Sequence, residues 1–155
     1  MQEENKKILS IVAPAYNELD SLSEFYSRLV EATKDLDLLI ELVYVNDGST
    51  DSSLTILEAW KNEQPHISVE VISQANQGLG ASRNTAITKA KNDWIALLDA
   101  DDLWLPQKLE RLANAIEDNP GYALIFHGFS TFGTKRNRTR TGYPITSIED
   151  LLTKG

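Results

Sequence analysis

Short apolar runs alternate along the chain with segments whose apolar residues recur at helical spacing. Ile8 to Ala13 is apolar apart from Ser10 and lacks a helical period, so it predicts a buried strand that Pro14 stops. Ser21-Leu22-Ser23-Glu24 has the spacing of a capping box. Leu22, Phe25, Tyr26, Leu29 and Val30 then share one face, predicting a helix to about Lys34. Ile40 to Val45 predicts a second strand. Asn46-Asp47-Gly48-Ser49-Thr50-Asp51, dense in turn and cap residues, leads into a helix with Leu54, Leu57 and Trp60 on one face. Ile67 to Ile72 predicts a third strand, Gln74 to Gly80 a loop, Ala81 to about Lys91 a short helix, and Trp94 to Leu98 a fourth strand. Pro106 suits an early helix position, and Leu105, Leu109, Leu112 and Ile116 form a stripe that Asn119-Pro120-Gly121 ends. Tyr122 to Phe126 reads as a fifth strand. Beyond Gly128 the pattern weakens into a polar, basic loop, and Ile148 to Leu152 makes a short amphipathic piece.

The strands are apolar throughout, as expected where helices cover both faces of a sheet. The predicted fold class is α/β, a mostly parallel sheet with right-handed crossovers. Such sheets bind ligands beyond the carboxyl ends of their strands, near the point where strand order reverses.

The chain has 155 residues, which suits one domain over 1–155, with a flexible start at 1–7 and a less regular part at 128–155. The net charge of −8 argues against a general nucleic-acid binder. The absence of cysteine excludes disulfides and thiolate metal sites and fits a reducing cytoplasm. No apolar run approaches the roughly 20 residues of a membrane span, and the polar start lacks the apolar stretch of a signal peptide. The expected location is cytoplasmic. The basic run Lys135 to Arg140 reads as a solvated loop; its sharper reading is peripheral contact with a phosphorylated lipid or an anionic acceptor at the inner membrane face.

Candidate chemistry gathers at the predicted strand ends. The first strand ends in Pro14-Ala15-Tyr16-Asn17-Glu18 and the second in Asn46-Asp47-Gly48-Ser49. The third leads to Gln77-Gly78-Leu79-Gly80-Ala81-Ser82-Arg83-Asn84, and the fourth ends in Asp99-Ala100-Asp101-Asp102. Each segment has a plainer reading. Asp47 to Asp51 would serve as a turn and helix cap, Gly78-Leu79-Gly80 as a flexible turn, and Pro14 to Glu18 as a strand stop. Arg83 would serve as a surface ion-pair residue, and the acids as a cap for the next helix. One or two acids suffice for a cap, however. Three carboxylates within four residues repel one another, and a divalent cation shared with substrate phosphates would relieve that. Four such loops at one sheet edge point to a metal–diphosphate site.

These segments, with Ile11-Val12-Ala13-Pro14-Ala15-Tyr16-Asn17-Glu18 and Val45-Asn46-Asp47-Gly48-Ser49-Thr50-Asp51 in full, resemble in order and spacing the signature motifs of family 2 glycosyltransferases. The resemblance runs from about Ile8 to Tyr122. It implies a GT-A fold and inverting transfer of a sugar from a nucleotide-diphosphate donor, with a UDP-sugar favoured, to a saccharide or lipid-linked acceptor hydroxyl. It implies that Pro14, Tyr16 and Glu18 line the nucleoside pocket and that Asp47 accepts a hydrogen bond from uracil. It also implies that Arg83 lies near ribose and diphosphate, that Asp99 and Ala100 touch the ribose side, and that Asp101 ligates Mn²⁺ or Mg²⁺. The role of Asp102 is left open. Cell-surface polysaccharide or glycoconjugate synthesis is the implied setting.

Inversion needs a general base. In the family it is an acid well downstream, so the resemblance places it beyond Gly155 and makes this chain the donor-binding part, ending before the acceptor half. Glu149-Asp150 comes too early and reads as a solvated helix face. His66 and His127 lack metal-ligand spacing and read as structural or surface residues. Asn137-Arg138-Thr139 matches a glycosylation sequon but lacks the secretory context. A nucleotide-sugar-binding module without transfer activity is the alternative. A sugar nucleotidyltransferase ranks below both, because Pro14 to Glu18 stands where a Gly-rich basic loop would be.

Overall fold

The computed structural model describes residues 7–36, 38–61, 63, 67–125, 127–131 and 138–140. Its backbone divides into two compact units, 1–109 and 110–155. The first unit holds a parallel sheet in the order β3-β2-β1-β4, built from β1 (Lys7–Ala15), β2 (Leu38–Asn46), β3 (Ile67–Ser73) and β4 (Ile95–Leu97). Helices α1 (Leu19–Thr33), α2 (Ser53–Ala59) and α3 (Leu79–Lys89) connect successive strands.

The chain steps outward from β1 to β3, then returns to β4 on the far side of β1. With crossovers of one hand, that reversal moves the last helix to the opposite face. The packing agrees. Leu22, Phe25, Tyr26 and Leu29 of α1 and Leu57 of α2 share a core with Ile11, Ala13, Leu42 and Tyr44. On the other face, Ala86 of α3 packs with Val12, Val43 and Val45. The register sets Ile11 beside Leu42, Val12 beside Val43 and Ala13 beside Tyr44, so both faces are apolar. Tyr26 stacks on Trp60 at 4.3 Å between ring centroids, and Tyr44 meets Phe25 and Trp60 edge-on at 5.8 and 6.1 Å. These are favoured aromatic geometries.

Pro14 does not stop β1, which pairs with β2 as far as Ala15. It coincides instead with the end of pairing to β4. Ser10 N–H donates to the Trp94 carbonyl at 3.2 Å, and Leu98 N–H donates to the Val12 carbonyl at 3.1 Å. By the two-residue period of a strand, Pro14 faces the same neighbour and has no N–H for the next rung. The two strands are thus free to diverge where the sheet's order reverses.

The first helix also departs from expectation. α1 begins at Leu19, because the Glu18 carbonyl already accepts the N–H groups of Ser21 and Leu22 at 3.0 and 3.1 Å. Ser21 is not the cap: its hydroxyl turns back to the Glu18 carboxylate at 2.6 Å. Lys7, expected to be flexible, belongs to β1.

Most of α4 (Lys108–Asp118) lies in the second unit. Pro106 and Leu105 precede the helix, and Leu105 is exposed, so the stripe narrows to Leu109, Leu112 and Ile116. Residues 122–125 are not a strand. The strand is β5 (Phe129–Thr131), antiparallel to β6 (Arg138–Arg140), which occupies the end of the basic run expected as a loop. An antiparallel pair of three residues each is too short to show a period. His66, Ile148 to Leu152 and Glu149-Asp150 lie outside the described residues.

One buried anion joins the sheet to the end of α3. Glu41 of β2 accepts hydrogen bonds from the Ser10 hydroxyl at 2.5 Å, the Lys91 N–H at 2.9 Å and the Asn92 side chain at 3.3 Å. Burial pushes its carboxyl up, but these donors and the Lys91 ammonium outweigh that and hold it below its ordinary value. Glu41→Gln should therefore cost about 1–3 kcal/mol in urea denaturation at pH 7. The stabilisation is complete above the unfolded carboxyl's value of about 4.3 and is lost as pH falls through the lower folded value. The gap between wild type and variant should accordingly close in acid.

Candidate functional site

The loops leaving the carboxyl ends of β1, β2, β3 and β4 line one cleft of about 480 Å³. Pro14, Tyr16, Glu18, Asp47, Asp99, Ala100 and Asp101 all contribute to it. Of the residues expected in the site, only Arg83 is not among the lining residues. The sequence motifs had left Asn76 and Ser82 without roles, and both line the cleft. Tyr16 and Leu79 keep 48% and 51% of their surface exposed, so an aromatic ring and an aliphatic side chain are open to a ligand.

Asp47 is the anchor. Its N–H donates to the Ala15 carbonyl at 2.8 Å, tying the ends of β1 and β2. Its Oδ1 accepts from the Gln74 side chain at 2.7 Å and the Gln77 N–H at 3.0 Å, and its Oδ2 accepts from the Gly78 N–H at 2.8 Å. Burial pushes the carboxyl up, but these donors, with Ser82, hold it below its ordinary value. Removing a carboxylate from water costs several kcal/mol. Three hydrogen bonds to a charged acceptor, at about 1.5–3 kcal/mol each, are of the right size to offset it. In the sequence Gln74 marks only the start of a loop. It links Asp47 to α3, since its Oε1 accepts from the Thr85 hydroxyl at 2.8 Å. Only its position opening a polar segment could have signalled that.

A second set of bonds joins the first two loops. Asn17, at φ +56°, donates its N–H to the Ser49 hydroxyl at 2.9 Å and accepts the Thr50 N–H at 2.8 Å. Glu18 N–H reaches the Ser53 hydroxyl at 3.2 Å. The turn-and-cap reading of Asp47 to Asp51 is also realised in part: Asp51 accepts the Ser53 N–H at 2.9 Å.

At the end of β4, Arg83 grips Asp99 with two donors, Nε at 3.3 Å and Nη2 to Oδ2. This two-pronged pair neutralises one acid of the cluster. Asp101 and Asp102 have no ion-pair partner among the described residues. Partial desolvation, then the charges of Asp101 and Asp99, push the Asp102 carboxyl above its ordinary value. The acids therefore repel one another, as the motif suggested. Lys108 is near enough to oppose this weakly; burial pulls its ammonium down to about 8, and it lies 5.4 Å from the Trp104 ring centre. His127 is exposed and contacts the Gly128 carbonyl at 3.0 Å, in keeping with a surface role. No helix among the described residues is long and apolar enough to cross a membrane.

A parallel sheet that reverses order at β1, with four polar loops on one cleft, defines an α/β architecture of the GT-A kind. The profile of Glycosyl transferase family 2 matches residues 10–153, and the chain belongs to that family of transferases. It is 30% identical over 150 residues to the undecaprenyl-phosphate 4-deoxy-4-formamido-L-arabinose transferase of Proteus mirabilis, covering 94% of this chain and 43% of the relative. Staphylococcus aureus TarS 1–349 in complex with UDP superposes with a TM-score of 0.64 at 27% identity, over 72% of this chain and 32% of TarS. The mannosyltransferase PcManGT of Pyrobaculum calidifontis, in complex with GDP-Man and Mn²⁺, shares the fold with a TM-score of 0.62 at 24% identity, over 70% and 32% of the two chains. The chain thus spans less than half the length of these relatives.

Gly48 is the glycine this site most requires. Its φ is +76°, and a Cβ there would lie 2.8 Å from the Asn76 nitrogen. Gly48→Ala should cost about 1–3 kcal/mol in chemical denaturation. It should also expose the Gln74–Gly78 segment to limited proteolysis.

Proposed function

We propose that the cleft binds a nucleotide-diphosphate sugar, with uridine as the nucleoside, together with Mn²⁺ or Mg²⁺. The whole protein would transfer the sugar with inversion to a saccharide or lipid-linked acceptor hydroxyl, in cell-surface polysaccharide or glycoconjugate synthesis. The observation that carries this reading is the convergence of a buried acceptor, Asp47, and an under-neutralised acidic rim on one cleft.

Pro14, Tyr16 and Glu18 form the nucleoside side. A carboxylate offers about four acceptor positions. The cited donors fill two on Oδ1 of Asp47 and one on Oδ2, leaving a place for the ring N–H of uracil. That single position discriminates between bases by the donor it demands. Arg83 fixes Asp99, and Asp99 with Ala100 faces the ribose. The TarS complex with UDP supports the choice of nucleotide.

The residues present fit a divalent cation of one kind. Among the described residues no group of three or more His, Asp or Glu could enclose a metal. Asp101, with Asp102 beside it, suits a cation that takes one or two carboxylates and completes its shell with phosphate oxygens and water. Bound there, the cation would stabilise the negative charge that gathers on the departing diphosphate. The chain's own part is to hold the nucleotide, orient the diphosphate toward Asp101 and keep Arg83 near the phosphates.

The Proteus mirabilis relative, named for undecaprenyl phosphate, supports a lipid-linked acceptor. All the residues lining the cleft fall within 1–109, so donor binding can be measured on this chain apart from transfer. Titration calorimetry should show saturable UDP binding that Mn²⁺ strengthens. Failure of every common nucleoside diphosphate to bind would overturn the reading. Asp101→Asn should lower the apparent Mn²⁺ affinity at least about 10-fold, since even outer partners of metal ligands commonly contribute that much.

A further inference from the structure

Gln74 holds the anchor of the cleft without lining the cleft itself. The residue is fixed at both ends. Its backbone N–H donates to the Asn46 carbonyl at 3.0 Å, at the end of β2, and its side-chain Oε1 accepts the Thr85 hydroxyl of α3 at 2.8 Å. An ionised carboxylate only accepts, so the amide must turn its nitrogen to Asp47, where Nε2 donates to Oδ1 at 2.7 Å. Thr85 supplies the proton that Oε1 then requires, and the two contacts together select one orientation of the amide. The same nitrogen also reaches the Ser82 hydroxyl oxygen at 3.4 Å.

This side chain makes the two oxygens of Asp47 unequal. The backbone gives each of them one donor, Gln77 N–H to Oδ1 at 3.0 Å and Gly78 N–H to Oδ2 at 2.8 Å. Each carboxylate oxygen has about two acceptor positions. Gln74 fills the second on Oδ1, so a single position stays open, on Oδ2. Without Gln74 both oxygens would keep one open position. The difference matters for a pyrimidine ring. Uracil presents a ring N–H where cytosine presents a bare ring nitrogen with an amino group beside it. One open position accepts the uracil N–H and sets an acceptor against the cytosine nitrogen. Two open positions let the carboxylate take the cytosine amino group instead. A buried acceptor with one aim rejects a ring lacking the matching donor far better than an acceptor with two.

We propose that Gln74, oriented by Thr85, is the positioning residue that sets base specificity: by filling the second place on Oδ1 it leaves Asp47 one open acceptor, and the cleft then selects a uracil over a cytosine nucleotide. This rests on the donor-site reading above.

The test titrates UDP and CDP, each with Mn²⁺, into wild type, Gln74→Leu, Thr85→Val and Thr85→Ser, with ligand-free melting as the check on folding. Wild type should favour UDP. Gln74→Leu should lower the UDP-to-CDP affinity ratio about 10-fold, the scale of one hydrogen bond to a charged group. Thr85→Val should lower the ratio in the same direction by less, and Thr85→Ser, which keeps the hydroxyl, should match wild type. A purely structural role would weaken both nucleotides equally, so an unchanged ratio in Gln74→Leu overturns the proposal. If Gln74→Leu does not fold, the Thr85 pair decides: a ratio in Thr85→Val equal to wild type, or a loss that Thr85→Ser shares, overturns it. A wild type that binds UDP and CDP alike overturns the role of Gln74 and leaves the donor site standing. A wild type that binds no nucleoside diphosphate overturns the donor reading and this role with it.

Discussion

The Asp47 carboxylate is the contact on which the site depends. Its backbone ties β2 to β1, and its side chain ties both to the segment that opens α3. Through Gly78 it sets where α3 begins, and α3 carries Arg83 to Asp99 at the end of β4. One buried anion thereby relates all four strand ends. Such an anion is stable only while its donors are fixed. The constraint runs both ways: the loop needs the anion for its shape, and the anion needs the loop to be tolerated out of water.

The cleft owes its place to a defect in the sheet's pairing. β1 is central, yet Pro14 removes the donor that would carry its ladder with β4 one rung further. The rungs stop where the chain's order reverses, which is where α/β sheets leave room for ligands. The acidic rim lies on the β4 side of that gap. Its charge is only partly relieved by Arg83, while the cleft's other side holds the Asp47 carboxylate among N–H donors.

Much of this was legible in the chain. The apolar runs of β1, β2 and β3 and the stripe of α1 are local periods, and burial on both faces leaves a direct mark on composition. The acids at 99 to 102 and the glycine at 48 also carried their meaning locally, since repulsion and a positive φ are short-range properties. The capping box failed because Ser21 had a nearer acceptor in Glu18, and the strand at 122 failed because pairing, absent there, falls to residues 129 to 131. Both are competitions between partners, and spacing alone does not rank partners.

The sequence by itself determined the alternation of strands and helices, the parallel sheet with covered faces, and the gathering of polar loops at one edge. It did so because hydrophobic period and turn chemistry act within a few residues. Only the tertiary structure decided that Asp47 is a clamp as well as an acceptor, that Gln74 is its partner, and that Arg83 is committed to Asp99. Those relations join residues 16 to 31 positions apart, and they exist only once the sheet brings the strand ends together.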